Sequence, residues 1–240
     1  MDRLETQELF EEIADPYIRE ELLSPESLVP RNEEESGVPT GEPRRTLEEA
    51  FRVLAPYRLF TQSHLRQHFG PDRAFEENLE VLLWSVEDLW RAISGTALLL
   101  RPLNEPWQQI HAAIRRLLYR YYYTSDERRA DAHRDARKFV EVWAGNQAGK
   151  EQVIGLVECL WHEAAVLRLS QSAEMEEALS KSARTLSSAL RPSPAYTITE
   201  LKEYAAERMR NDEELQETVS NVDGLLNRLV AIVVAPQQES

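Results

Sequence analysis

The chain has 240 residues, 42% hydrophobic and 29% charged, with a formal net charge of −14 at pH 7. That is the balance of a folded globular protein with room for a substantial core, and an acidic body is repelled by phosphate backbones and anionic lipid, which argues against nucleic acid and membranes as partners. Few glycines and a preponderance of Leu, Ala, Glu and Arg predict an all-α fold, a bundle of about eight helices.

Charge is unevenly distributed. Residues 1–45 carry thirteen acids and five bases, a net −8, and residues 196–240 carry nine acids and four bases, a net −5. Residues 101–138 reverse the sign, with five acids and nine bases, a net +4.

In chain order, residues 1–23 place Leu9, Phe10, Ile13 and Tyr17 near one face with acids around the rest. This predicts an amphipathic helical arm, interrupted at Asp15-Pro16. Residues 24–45 hold four prolines, two glycines and few apolar groups, the composition of a flexible acidic linker. An apolar-faced helix on a tether has to dock, on its own body or on another chain.

The expected all-α body spans 46–240. Thr46 and Glu49 read as a capping box, followed by Phe51 and Leu54 on an inner stripe. A short helix with Leu59, Phe60, Leu65 and Phe69 ends at Gly70-Pro71. Asp72 then caps a helix with Phe75, Leu79, Leu82, Leu83, Val86, Leu89, Trp90 and Ile93 at three- and four-residue spacing. Trp84 and Trp90 fall on different faces of it, so Trp84, if exposed, would anchor a partner. Pro106 suits the first turn of the next helix, whose apolar positions run from Ile110 to Tyr121. Thr124, Ser125 and Asp126 are N-cap types and predict a new helix reaching Trp143. Lys150 to Leu169 is apolar on nearly every side and belongs at the centre of the bundle. Ser172 to Leu190 is more thinly apolar. Thr197 and Glu200 form a second capping box, and Leu225, Leu226, Leu229, Val230 and Val233 close the chain. Neither a trustworthy alternating strand pattern nor an internal repeat is visible.

Arg115 to Lys138 interleaves bases with Tyr119, Tyr121, Tyr122 and Tyr123, a mixture that can grip a nucleic-acid strand. From Ser125 onwards, however, opposite charges recur three residues apart: Arg128 with Asp131, Asp131 with Arg134, Asp135 with Lys138. A helix face of this kind neutralises itself. What is left is a basic patch at Arg115, Arg116 and Arg120 beside Tyr119 and Tyr123, suited to meeting acidic protein segments. No helix-turn-helix, zinc-finger, RRM or KH signature accompanies it.

The sharpest candidate for chemistry is ECLWHE, Glu158 to Glu163. On a helix, Cys159 is one turn from His162 and Glu163, and Glu158 is one turn from His162. Thiol beside imidazole could be an activated nucleophile, and His with Glu could hold a metal. The segment lacks the second histidine of H-E-x-x-H, and phosphate-loop, dinucleotide and nucleophile-elbow motifs are missing. We therefore read Cys159 as a core thiol and His162 as a half-buried imidazole. His64 and His68, four residues apart, could share a face; no spacing links His133 to a partner. No catalytic residue, metal or cofactor is assigned. The single cysteine leaves no internal disulfide, the start Met-Asp-Arg-Leu-Glu lacks a secretory pattern, and the longest apolar run is far below the ~20 residues of a membrane span. These predict a cytoplasmic or nuclear protein.

The expected function is that of a non-enzymatic helical interaction subunit, an adaptor, scaffold or assembly protein working through its arm on a protein partner or a second copy of itself. Two alternatives are a small all-α enzyme with a pocket near His162 and a nucleoprotein-like RNA binder that polymerises through its arm.

Overall fold

The structure is a computed structural model that describes residues 43–69, 85–96, 98–100, 107–219 and 224. The arm residues Leu9, Phe10, Ile13 and Tyr17, Trp84, and the closing apolar run from Leu225 lie outside the described residues, as do residues 24–42 of the linker. Nine helices are present among the described residues, with a single two-stranded ladder of two residues a side. The fold is all-α. It divides into two compact units between Thr124 and Ser125, at the predicted helix start.

Unit 1 contains α1 (Pro43–Leu54), α2 (Gln62–Phe69), α3 (Val86–Gly95), β1 (Leu99–Leu100), β2 (Gln109–Ile110) and α4 (Ala112–Tyr122). Helix α1 begins at Pro43, not Thr46, because proline presets the first-turn φ and lacks only an N–H that a first turn leaves unpaired anyway. Residues 43–45 of the expected linker are thus helical. Leu47, Ala50, Phe51 and Leu54 form its buried stripe, and Pro56, which has no donor, prevents its continuation. Helix α3 is capped by Ser85, whose extended backbone (φ −67°, ψ 160°) and hydroxyl, accepting from Asp88 N at 3.1 Å, mark a start rather than an interior. The long helix expected from Asp72 to Ile93 is therefore interrupted here, and its stretch from Asp72 to Trp84 lies outside the described residues. Ile110 belongs to β2, paired with Leu99, and not to the helix expected from Pro106. An isolated bridge joins Gln108 to Phe60. The Tyr123 hydroxyl donates to the Arg52 carbonyl at 3.1 Å, tying the end of α4 to α1.

Unit 2 contains α5 (Asp126–Gly145), α6 (Gly149–Leu169), α7 (Met175–Ser188), α8 (Ile198–Arg210) and α9 (Glu213–Thr218). Ser125 caps α5 through its hydroxyl, as its residue type predicts. Helix α6 is the centre: it packs against α5, α7, α8 and α9, and its buried positions cover almost the whole circumference. Its start is fixed by Gly149, whose φ of +67° reverses the chain after α5 without the Cβ strain another residue would bring. Gln152 then accepts from Arg191 N at 2.7 Å and donates to the Ala189 carbonyl at 3.0 Å. Arg191 in turn donates to the carbonyls of Gly145 and Gln147, capping the end of α5. The Lys150 ammonium lies 4.7 Å from the ring centre of Tyr196 and 4.8 Å from that of Tyr204, which joins α6 to α8.

The predicted capping box of α8 is present in full: Glu200 N donates to the Thr197 hydroxyl and Thr197 N donates to the Glu200 carboxylate at 2.7 Å. The Glu200 carboxyl sits below the usual carboxylate range, held there first by the Thr197 backbone N–H and then by its hydroxyl. Thr197→Ala removes an acceptor for one N-terminal N–H and is expected to lower the stability of unit 2 by about 1 kcal/mol. Urea unfolding at pH 7 checks this, and an unchanged midpoint would show that the cap is replaced by water.

Candidate functional site

Helices α5 and α6 are joined by the tight turn Asn146–Ala148 and run antiparallel, so residues equally far from the turn meet. The seam between them is close. At Gly155 a Cβ would stand 2.7 Å from the Cβ of Ala144 and 3.0 Å from the Trp143 ring. This approach brings the ECLWHE segment of α6 against α5.

In that seam His133 of α5 and His162 of α6 face each other with Nδ1 atoms 2.9 Å apart. Their exposures are 4% and 0%, so His162 is wholly buried, not half-buried as expected. Trp161 lies edge-on to both rings, with centroids 5.0 Å from His133 and 4.8 Å from His162. One turn along α5, Arg137 pairs with Glu163 at 3.1 Å. Cys159 points at the Arg137 carbonyl with Sγ 4.0 Å from the oxygen. Burial pushes the Cys159 thiol far above its usual range and the Glu141 carboxylate adds to this, so it is a protonated core thiol and no nucleophile at neutral pH. Among the described residues no three histidine, cysteine, aspartate or glutamate side chains converge as metal ligands.

His133 is the residue that motif reading passes over. It is 29 positions from His162, beyond any helical spacing. The signal lies in the topology: the two histidines stand equally far on either side of the Gln147–Ala148 turn.

The second histidine pair, His64 and His68, flanks Tyr57 in unit 1. The Tyr57 ring lies edge-on to His64 at 4.8 Å, and its hydroxyl is 3.1 Å from His68 Nε2. Thr61 N donates to His64 Nδ1 at 2.9 Å, which makes that nitrogen an acceptor. Burial, with a further push from His68, lowers the His64 imidazole to about 3. His64 is therefore a neutral core residue.

The residues of the expected basic patch are separated by burial. Arg115 is 4% exposed, on the buried face of α4 with Leu118, and so does not belong to an exposed patch. Its long stem suits that face. Arg116 and Arg120 are exposed, and Tyr119 and Tyr123 are half-buried with ring centres 5.4 Å apart. On α5 the outer face is laced by ion pairs: Arg129 with Asp126 at 3.0 Å, Arg134 with Asp131, and Lys138 with Asp135 at 3.4 Å. In water each such pair is worth only a few tenths of a kcal/mol, but together they cancel the field of the helix. No helix of the described residues is long and apolar enough to cross a membrane.

No protein-family model, curated protein or solved structure matches this chain.

Proposed function

We propose that the protein is a non-enzymatic helical interaction subunit, with the N-terminal segment around Leu9, Phe10, Ile13 and Tyr17 as its docking element and the exposed Arg116 and Arg120 steering acidic protein segments. One observation carries the reading: the groups best suited to chemistry are used inside the α5–α6 seam. The imidazoles bond each other, the thiol is protonated and buried, and Glu163 is paired with Arg137. A substrate would have to prise α5 away from α6 to reach His162. The self-neutralised face of α5 supports a protein partner over a nucleic acid.

The test replaces Leu9, Phe10, Ile13 and Tyr17 together by serine in the full chain, leaving α1 and its Pro43 start untouched. Light-scattering mass on a sizing column is read at low and high salt. The wild type is expected to run as an oligomer, or to recover a protein partner, and the variant to run as a monomer without it. Identical mass and identical partners for both would sink the proposal.

A further inference from the structure

The His133–His162 contact depends on a single exchangeable proton. A hydrogen bond between two imidazole nitrogens needs one N–H and one lone pair, so the rings hold opposite protonation states at Nδ1. The donor ring can take a second proton at Nε2 and remain a donor. The acceptor ring cannot be protonated at Nδ1 without setting two N–H groups, and two cations, face to face across 2.9 Å. At exposures of 4% and 0%, water does not screen that repulsion.

Charged groups flank the pair on both helices of the seam. On α5, Arg129 and Arg137 stand one turn on either side of His133, each bound to a carboxylate, Asp126 and Glu163. On α6, buried Glu158 lies one turn before His162 and the protonated Cys159 lies between them. Of the other helices on α6, α8 contributes Lys202 as its buried charge, α7 contributes the hydroxyls of Ser180 and Ser187, and α9 buries only Leu215. One carboxylate can balance one imidazolium, but a second would still face the first across 2.9 Å.

We propose that the His133–His162 pair is an acid-sensitive clasp, closed while the rings share one Nδ1 proton and opened when acid gives each ring its own. Helix α5 is polar over most of its surface, and once detached from α6 it cannot hold its helix alone. Freed rings titrate near the ordinary imidazole value of about 6.5, so opening takes up at least one proton below it. The opening equilibrium then rises at least about tenfold for each pH unit.

The experiment follows the full chain by ring nitrogen shifts of His133 and His162 and by amide exchange of Ala136 and Val140, corrected for intrinsic exchange rates. At pH 7.5 the two rings are expected to show opposite Nδ1 protonation. Between about pH 6 and 4.5, α5 should open at least about tenfold more per pH unit. In His133→Asn the amide oxygen stands near the Nδ1 position and accepts from His162 whatever its charge, so the steep rise should be lost. The proposal is overturned if both rings become cations while α5 stays protected, or if His133→Asn keeps the wild-type slope. Should that variant fail to fold, the ring shifts and the exchange slope of the wild type decide.

Discussion

Acidifying the protein from pH 6.5 is expected to cost unit 1 about 1.4 kcal/mol for every pH unit, through His64 alone. The folded imidazole is held at about 3 by burial, against 6.5 in the unfolded chain. A depressed histidine is neutral when folded and takes up a proton on unfolding, so its contribution is complete above pH 6.5 and declines as the pH falls towards 3. Followed over that whole window the loss is roughly 4–5 kcal/mol, a large share of a domain's stability. Carboxylates such as Glu87, lowered by the Arg66 hydrogen bond, lose their contribution only below their ordinary range. The other histidines are common to the wild type and a His64 variant, so the difference between the two over pH 6.5 to 5 reports His64. His64→Asn places an amide oxygen where Nδ1 accepts from Thr61 N and removes the titration. Its stability at pH 7 should fall by about 1–2 kcal/mol from lost packing against Tyr57 and Trp107. The difference between the wild-type and variant unfolding energies should then close between pH 6.5 and 5. Parallel curves would mean that His64 is hydrated or already charged in the folded protein.

Where physics is local, the residues announce the structure. Ser125 and Thr197 cap helices as their types predict, and α6 is buried all round because apolar side chains occupy every side of it. Where two local signals compete, the stronger periodicity misleads. The stripe running to Ile93 hides the cap at Ser85, since periodicity records which face is buried and not whether each N–H finds a carbonyl four residues back. At α1 the capping-box pattern at Thr46 yields to Pro43, whose fixed φ suits the first turn of a helix. Ile110 has a helical neighbourhood in sequence, yet its partner is Leu99, a nonlocal choice. Arg115 reads as surface by its charge, though its three-residue spacing from buried Leu118 already placed it on the inner face. The candidate site was half legible. ECLWHE marks the right turn of α6, but what His162 touches is set by the length of the α5–α6 hairpin, and no motif encodes that.

Gly155 fixes how close that hairpin can be, and Gly155→Leu is expected to destabilise unit 2 by about 3 kcal/mol, with the His133–His162 hydrogen bond lost. Gly155→Ala is the finer test because two effects oppose. Alanine in a helix interior gains about 1 kcal/mol over glycine. Its Cβ, however, would lie 2.7 Å from the Cβ of Ala144 and 3.0 and 3.1 Å from ring carbons of Trp143. The Trp143 ring can rotate aside, whereas the Ala144 Cβ is fixed to the backbone of α5 and can retreat only by moving the helix. Overpacking of this kind costs about 1–3 kcal/mol, so it prevails and the net change is a loss. Ala144→Gly removes the opposing carbon, and in the Gly155→Ala background it should restore stability beyond the sum of the single changes, a coupling of about 1 kcal/mol or more. Urea unfolding of the four proteins completes the cycle. If Gly155→Ala proves more stable than the wild type, the seam is wider than 2.7 Å implies, and the clasp loses the constraint that presses its two rings together.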